Sequence, residues 1–510
     1  MTTRPGPADT ALSRGLITVS VMLATIMQAL DTTIANVALP NMQGSMSATQ
    51  DQISWVLTSY IVAAAIMTPL TGYLALRFGR KRLFLGAVAG FTVASMLCGA
   101  AQSLPQMVLF RLLQGVFGAS LVPLSQAVLL DTYPREQHGS AMAMWGVGVM
   151  VGPILGPTLG GYLTEVYSWR WVFYINLPFG ILALLGILAF LPETERDRGR
   201  PFDIFGFALL GLSIGAFQMM LDRGESQDWF SSPEIVGEGV LAALLMYMFL
   251  VHMFTANHPF IEPGLFMDRN FVIGLLFIFI IGVILLATLA LMPPFLQYLM
   301  GFPVITTGLV LAPRGVGTMV AMVVIGRLMG KLDTRIMIFV GLALTAVSLW
   351  EMTGFNTNIG VWAIMRTGIT QGLGLGFIFV PLSTITFATL APHYRNEGAA
   401  MFSLMRNIGS SIGISIVVTL LAQGTQANHA VLAADATWFD PMLQAPWMPP
   451  IWNPGTTAGT VAFNGEITRQ AATIAYLADF HLMMWVTLLA VPLLFLLRSP
   501  PRAIPASTSC

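Results

Sequence analysis

Two side chains of opposite charge, Asp31 and Arg111, lie inside long apolar stretches of this 510-residue chain. A carboxylate in the hydrocarbon of a bilayer costs about 3 kcal/mol or more, so it usually faces a cavity and has a partner. Asp31 lies nine residues before Pro40, which is expected to end its stretch, and Arg111 lies about six residues into another. At ~1.5 Å per residue, both are roughly 9–14 Å below the same surface. An Asp31–Arg111 pair is therefore feasible.

The chemistry that such a pair suggests is reversible protonation. Burial favours the neutral carboxyl group, whereas the Arg111 charge favours the carboxylate, so Asp31 could gain and lose a coupling proton near neutral pH. Arg111 stays charged and would tune the carboxylate or compete for it. The alternative is an ion pair with a purely structural role.

A cargo cavity is expected to contain further polar side chains on these apolar stretches, which are Gln28, Asn36, Gln114, Arg314 and Arg366. The three arginines expected within spans, Arg111, Arg314 and Arg366, outnumber the deep carboxylates, because the second half of the chain is expected to have no deep carboxylate. A cavity with surplus positive charge favours anionic or neutral lipophilic cargo. Alternatively, Arg314 and Arg366 bond to nearby carbonyl groups and never contact cargo.

The glycine-rich stretch GPILGPTLGG at 152–161 lies within one of the apolar runs. Its glycines recur every four residues and therefore line one helix face, where small residues allow a close approach of another helix. The prolines favour a kink. We predict a bent helix whose flat face supports rocking of one half against the other; the alternative is a static contact. The residues concerned are Gly148, Gly152, Pro153, Gly156, Pro157, Gly160 and Gly161.

Composition indicates the class of protein that positions these groups. Hydrophobic residues make up 55% of the chain and charged residues only 9%, and the mean hydropathy is +0.75. Apolar runs of about 18 residues or more are candidate membrane helices. We predict an all-α polytopic membrane protein with fourteen spans near 16–38, 54–76, 83–102, 105–130, 140–163, 170–191, 203–221, 234–255, 271–293, 304–328, 336–354, 359–388, 400–422 and 476–497.

Basic residues indicate the orientation of these spans. The outer segments contain only Arg170, Arg223 and Arg469. The expected cytoplasmic segments contain Arg4, Arg14, Arg77, Arg80, Lys81, Arg82, Arg135, Arg196, Arg198, Arg200, Arg269, Arg327, Lys331, Arg335, Arg395, Arg406, Arg498 and Arg502. This positive-inside bias predicts that both termini are cytoplasmic.

An internal repeat predicts the domain organisation. VPLS at 122–125 recurs at 380–383, and GSAM at 139–142 resembles GAAM at 398–401. The fourth and fifth spans thus correspond to the twelfth and thirteenth. We predict six-helix bundles at 1–200 and 269–510, separated by two inserted spans at 201–268. Repeats of this kind are common in secondary transporters, where the cargo path runs between the halves.

Several segments leave the choice of role open. The stretch 423–475 is expected to be a long outer loop, either a docking surface or an irregular hairpin. Asp203 is expected to cap the seventh span, whereas the roles of Asp222 and Glu351 are left open. Cys98 and Cys510 are not expected to form a disulfide.

Other functional classes fit less well. The two lysines lie outside any glycine-rich phosphate loop, which argues against an ATP-driven pump. Clustered carboxylates, a His/Ser pair or a metal site would be expected of a membrane-embedded enzyme, and none is evident. No nucleic-acid partner is expected. A proton symporter that takes up nutrients remains the alternative to an exporter.

Several motifs, in order along the chain, resemble those of the major facilitator superfamily. GPILGPTLGG is similar to the antiporter motif of its drug:proton exporters, and LDTTIANVALP (30–40) and RLLQG (111–115) resemble motifs of their first and fourth helices. GYLALRFGRKRLFL (72–85) resembles the superfamily's cytoplasmic loop, and MLDRGESQDWFSS (220–232) a stretch of EmrB-type pumps. The chain thus resembles the fourteen-span EmrB/QacA-type antiporters.

The resemblance implies a major facilitator fold with 6 + 2 + 6 helices and proton-driven multidrug efflux across a bacterial inner membrane. It implies lipophilic cargo, contact with membrane lipids, no cofactor besides the proton gradient, and a periplasmic adaptor with an outer-membrane channel as partners. In the loop motif, Leu76 replaces the usual Asp, which puts a charge latch in doubt. Gly72, Arg77, Gly79 and Arg80 are expected to hold the loop to lipid headgroups or a neighbouring helix.

Overall fold

The computed structural model describes residues 11–194, 196, 199, 201–329, 331–435, 450–452 and 456–498. These residues are almost entirely helical and contain no β-strand, only an isolated bridge between Met329 and Leu332. Thirteen helices are long and apolar enough to cross a membrane, and one bent pair could form a fourteenth span. The prediction of an all-α polytopic membrane protein is confirmed.

The first half contains nine α-helices: α1 (Ala11–Ser45), α2 (Gln50–Met67), α3 (Leu70–Phe78), α4 (Arg80–Ala100), α5 (Leu104–Gly118), α6 (Leu121–Thr132), α7 (His138–Val166), α8 (Trp171–Tyr174) and α9 (Asn176–Phe190). The inserted pair is α10 (Ile204–Arg223) and α11 (Pro233–Thr255). The second half comprises α12 (Arg269–Pro294), α13 (Val304–Leu328), α14 (Thr334–Met352), α15 (Val361–Ala388), α16 (Arg395–Asp435) and α17 (Thr457–Leu489).

Polar caps and prolines explain several boundaries. Asp203 accepts a hydrogen bond from the Gly206 amide at 2.8 Å and caps α10, as predicted. The second predicted span is divided into α2 and α3, which meet at 58° next to Pro69. The expectation that Pro40 ends the first span is wrong, because α1 continues through it to Ser45.

The same helix pairing occurs in both halves. In the first half α1 packs against α7 and α2 against α5, and in the second half α12 packs against α16 and α13 against α15. Each second pair lies eight predicted spans after its counterpart, as the internal repeat requires. The domain limits at residues 200 and 268 stay a prediction.

The stretch 423–475 differs from the predicted outer loop. α16 continues to Asp435 and α17 begins at Thr457, so most of its described residues are helical. α16 has 41 residues, or ~60 Å at the usual rise, about twice the hydrocarbon thickness. We call the described residues of this stretch, 423–435, 450–452 and 456–475, the α16–α17 hairpin. The rest of the stretch, which includes Trp438 and Trp447, lies outside the described part of the chain.

The position of Arg406 also corrects the sequence analysis. It lies eleven residues after Arg395, which begins α16, and is therefore ~16 Å along the helix rather than in a cytoplasmic segment. The membrane-spanning part thus contains one more arginine than the sequence analysis assigned to it.

The two halves touch along one end of the bundle. We call the end where α1 begins and α17 ends the termini side, and the opposite end the hairpin side. A Cβ built on Gly139 would lie 2.5 Å from the Met329 side chain, and one on Gly315 would lie 1.9 Å from Ile154. These contacts between α7 and α13 run from the termini side to mid-depth.

Candidate functional site

Asp31 and Arg111 form an ion pair in the core of the first half. Arg111 Nη1 donates to Asp31 Oδ2 at 2.8 Å, and the Asp31 side chain is 0% exposed and that of Arg111 1%. The pair joins α1 to α5. Its geometry agrees with the pairing inferred from the sequence.

Two amide side chains complete the hydrogen bonds of the carboxylate. Gln114 Nε2 donates to Asp31 Oδ1 at 2.8 Å, and Asn176 Nδ2 donates to the same oxygen at 2.9 Å. Arg111 Nε also donates to the Val56 carbonyl at 3.0 Å. A buried charge is tolerated when it is both paired and hydrogen-bonded. Both oxygens of Asp31 are therefore satisfied.

Aromatic rings close the site from the sides. The Arg111 guanidinium lies 4.5 Å from the centre of the Tyr60 ring and 5.7 Å from that of Phe173. Asp31 is thus enclosed in this conformation, and the expectation that it faces a cavity is wrong for it. We call Asp31, Arg111, Gln114 and Asn176 the Asp31 network.

The polar residues assigned to a cargo cavity differ in exposure. Gln114 is fully buried in the Asp31 network rather than in a cavity. Gln28 is partly exposed and donates to the Tyr60 hydroxyl at 3.3 Å, whereas Asn36 is exposed. Gln28 and Asn36 are therefore the only ones of these three with surface available to cargo.

The two arginines assigned to the cavity also differ. Arg366 is 59% exposed and pairs with Glu351 at 3.2 Å, so its charge is compensated and its assignment to the cavity stays a prediction. Arg314 is 7% exposed, and its Nη2 donates to the Leu285 carbonyl at 3.3 Å. Among the described residues, Arg314 has no carboxylate partner.

The absence of a deep carboxylate in the second half is also a wrong expectation. Asp479 of α17 is 2% exposed, and its Oδ2 has no hydrogen-bond partner. It lies inside the last predicted span, 476–497, and could have been found there. Asp222 accepts a hydrogen bond from Thr58 and links α10 to α2.

The glycine face of α7 packs against α1 within the same half. A built Cβ would lie 2.3 Å from the Ala29 carbonyl oxygen at Gly152, 2.2 Å from Thr33 Oγ1 at Gly156, and 3.2 Å from the Ile34 carbonyl oxygen at Gly160. The prediction that this face supports one half against the other is therefore wrong. A different side of α7, including Ile154, contacts α13 of the second half.

The remaining residues of the motif have less distinct environments. Gly148 packs on the Met22 side chain, Gly161 is buried and Pro153 is partly exposed. α7 continues as one helix through both prolines; the side chain of Pro157 lies outside the described part of the chain.

Charged residues connect the halves on the termini side. Asp131, at the end of α6, pairs with Arg80 of α4 and with Arg395 of α16. Arg80 Nε also donates to Asn396 Oδ1 at 2.7 Å. A carboxylate other than the one missing at Leu76 thus forms a latch between the halves.

The loop motif places the rest of this latch. A Cβ on Gly72 would lie 2.9 Å from the Glu397 Cα, so glycine allows α3 to approach α16. Gly79 has a φ of +86°, which favours glycine at the tight link to α4. Arg77 is exposed. Sequence reasoning missed Asp131, Arg395 and Asn396, because they come from distant segments.

Comparisons with known proteins agree with this architecture. A family model described as Major Facilitator Superfamily matches residues 21–414. The chain is 38% identical to the multidrug export protein EmrB of Escherichia coli K12, over 84% of each chain. It is 34% identical to the fatty acid resistance protein FarB of Neisseria gonorrhoeae, over 95% of this chain and 96% of FarB. It is also 34% identical to the probable multidrug resistance protein EmrY of Escherichia coli K12, over 95% of each chain.

Proposed function

Because this chain belongs to the major facilitator superfamily and, within it, to the EmrB-like proteins, we propose that it exports lipophilic compounds in exchange for protons. Membership of this superfamily makes the chain a transporter rather than an enzyme and assigns it the major facilitator fold. The names of EmrB and EmrY support multidrug efflux.

The observation that carries the proposal is the position of α1. One side of this helix bears Asp31, which is bound to Arg111. Its other side carries Ala29 and Thr33, which contact the glycine face of α7. α7 in turn contacts α13 of the second half. A change of charge at Asp31 would therefore act on α1, which packs against the helix that contacts the second half.

Proton exchange requires the Asp31 network to open. Asp31 is fully buried and bonded to three donors in this conformation, so we assign its protonation to a conformation in which Arg111 has moved away. Arg111 then competes with the proton for the carboxylate. In the conformation described here, the termini side is latched through Asp131 and Asp31 is bonded to Arg111. This conformation therefore precedes or follows the exchange of the proton at Asp31.

The charge of the interior supports a class of cargo. Asp31 and Glu351 each pair with an arginine, whereas Arg314 and Arg406 have no carboxylate partner among the described residues and outnumber Asp479, the deep carboxylate of the second half. A positively charged cavity favours neutral or weakly acidic lipophilic molecules over cations. The name of FarB, a fatty acid resistance protein, is in keeping with an anionic lipophile.

The cellular setting is proposed from the resemblance and from the basic residues. The protein spans a bacterial inner membrane with both termini in the cytoplasm, so the α16–α17 hairpin lies in the periplasm. This hairpin is then the candidate contact for a periplasmic adaptor and an outer-membrane channel. Photocrosslinking from Val461, which is 67% exposed on α17, tests the contact; crosslinks to lipid alone would contradict it.

A transport assay distinguishes the exporter from the uptake symporter. In proteoliposomes with an imposed pH gradient, an antiporter moves cargo against the proton flow and a symporter moves it with the flow. Efflux against the proton flow is expected for dodecanoate and not for a quaternary ammonium dye. Movement of both in the direction of the protons would refute antiport.

Two variants test the role of Asp31. Asp31→Asn leaves Arg111 buried without its counter-ion, which also threatens folding. The double variant Asp31→Asn/Arg111→Gln removes both charges and should retain the fold while losing proton-driven efflux. Asp268→Asn, at the partly exposed cap of α12, is the control. Proton-driven efflux by a folded double variant would place coupling elsewhere.

A further inference from the structure

Arg406 lies in the membrane-spanning part of α16 and has not been assigned a role. It is eleven residues from the start of the helix, or ~16 Å at the usual rise, about half the hydrocarbon thickness. A charged side chain at such a depth is costly and marks a functional pathway in many membrane proteins.

The side of α16 that bears Arg406 faces α12. Gly409, Ser410 and Gly413 follow Arg406 by three, four and seven residues and thus share its face. A Cβ on Gly409 would lie 2.2 Å from the Phe279 carbonyl oxygen, and one on Gly413 would lie 2.5 Å from that of Val283. Ser410 Oγ donates to the Gly282 carbonyl at 3.3 Å. Arg406 therefore lies at the seam between α16 and α12.

The guanidinium of Arg406 has neither an ion pair nor a hydrogen bond within the described part of the chain. The residue is nevertheless only partly exposed. Arg111 is different, because it bonds to Asp31, Gln114 and Val56. Arg406 thus keeps five N–H donors available in a setting where unmatched donors are costly.

The side chain of a second cation also reaches α12. Arg314 of α13 donates to the Leu285 carbonyl, three residues beyond Gly282, whose built Cβ would lie 2.4 Å from the Arg406 carbonyl oxygen. The buried carboxylates of this half are Glu397, which lies near the start of α16, and Asp479, and no ion pair of the described residues joins Asp479 to either arginine. The surroundings of α12 therefore have surplus positive charge at mid-depth.

We propose that Arg406 binds the anionic headgroup of the cargo, a carboxylate or sulfonate attached to an apolar body, while Arg314 adds positive charge nearby. This inference rests on the proposed export function. A planar guanidinium can donate two parallel hydrogen bonds to a carboxylate, which is stronger than bonding to a neutral group. The apolar body would lie along the hydrophobic side chains of the bundle.

Three probes with the same alkyl chain test the headgroup contact: dodecanoate, dodecanol and dodecyltrimethylammonium. Their binding to the purified full-length protein in lipid nanodiscs is compared for the wild type, Arg406→Gln and Arg406→Lys. Arg269→Gln is the matched control, because Arg269 is exposed at the start of α12 and was not assigned to the cavity. Thermal unfolding of each variant checks that the fold is retained.

Arg406→Gln is expected to weaken dodecanoate binding about tenfold or more, the loss expected for a hydrogen bond to a charged group. Dodecanol binding should change less than about twofold, and Arg406→Lys should restore part of the dodecanoate affinity because it keeps the charge. Equal losses for dodecanoate and dodecanol, or unchanged dodecanoate binding in a folded Arg406→Gln, would overturn the proposal.

The transport assay separates this inference from the proposed function. A wild type that binds dodecanoate through Arg406 but exports nothing under a pH gradient would refute export and leave the binding site standing. If a folded Arg406→Gln exports dodecanoate as well as the wild type does, the binding site is refuted and export still stands.

Discussion

Thr33 of α1 donates a hydrogen bond to the carbonyl oxygen of Gly152 of α7 at 3.0 Å. The bond crosses a seam where a Cβ on Gly152 would lie 2.3 Å from the Ala29 carbonyl oxygen. The two helices thus approach at backbone distance, which only the smallest residue permits. Since Asp31 lies on the opposite side of α1, this seam and the Asp31 network hold the same helix from two sides.

Gly152→Ala should destabilise the protein, because the added methyl group would force α7 away from backbone atoms that cannot rotate aside. Overpacking of this kind costs about 1–3 kcal/mol. The measurement is the thermal unfolding temperature of the purified protein in detergent, together with proton-driven efflux.

Gly237→Ala is the control for this substitution. Nothing lies within 4 Å of a Cβ built on Gly237 of α11. Replacing an unconstrained helical glycine by alanine stabilises a protein by about 0.4–1 kcal/mol. Equal responses of the two variants would show that the seam between α1 and α7 tolerates a methyl group.

Asp131→Asn should release the latch on the termini side, because the new amide cannot pair with both Arg80 and Arg395. Partly exposed ion pairs contribute about 0.2–1 kcal/mol each, so with two pairs lost the population of the state open on this side should rise about two- to thirtyfold. The measurement is the rate at which an aqueous maleimide labels a Met329→Cys reporter, since Met329 contacts Gly139 in the closed seam.

Glu193→Gln provides the comparison for the latch. Glu193 pairs with Arg196 and Arg82 within the first half only. Its replacement should leave the labelling rate unchanged. If the reporter is labelled at the same rate in both variants, the Asp131 latch stabilises the closed state no more than a salt bridge that does not join the halves.

Asn176→Leu should destabilise the first half and reduce transport. The substitution removes a donor from Asp31 Oδ1 and from Ser95, and both acceptors lie in a fully buried region. Asp31 Oδ1 keeps Gln114 as a donor, so the expected cost is that of one hydrogen bond to a charged group, about 1.5–3 kcal/mol. The free energy of unfolding in denaturant gives the magnitude. Asn428→Leu, which loses one long bond of 3.3 Å to Ala471, should cost less; a reversed order would argue against a tight Asp31 network.

Arg366→Gln should change neither cargo preference nor stability by much. Arg366 is 59% exposed and its partner Glu351 lies near the end of α14; such pairs contribute about 0–1 kcal/mol. The ratio of dodecanoate to dodecanol export measures preference. A strong loss of dodecanoate export would place Arg366 in the cargo path.

The sequence predicts which residues share a depth better than it predicts what they face. Asp31 and Arg111 could be paired because both depths follow from the helical rise. Arg366 also lies on a predicted span, yet it is exposed and pairs with Glu351 rather than with a deep carboxylate. Depth along a helix does not determine rotation about its axis, and rotation decides between a cavity, a core and the lipid.

Contacts between segments that are distant in the sequence could not be predicted either. The spacing of Gly148 to Gly160 predicted a close helix contact correctly, but spacing carries no information on the partner, which proved to be α1. Asn176 and Asp131 lie near helix ends, where a polar residue is ordinary. Only the packing of the helices shows that one reaches Asp31 and the other joins the halves.

The Asp31 network also bears on biosynthesis. Each side chain that neutralises or hydrogen-bonds Asp31 is at residue 176 or earlier. A nascent chain that has inserted only α1 to α9 can therefore shield its most deeply buried carboxylate before the second half leaves the ribosome. The first half is thus equipped to settle in the bilayer as an early assembly intermediate, against which the later helices dock.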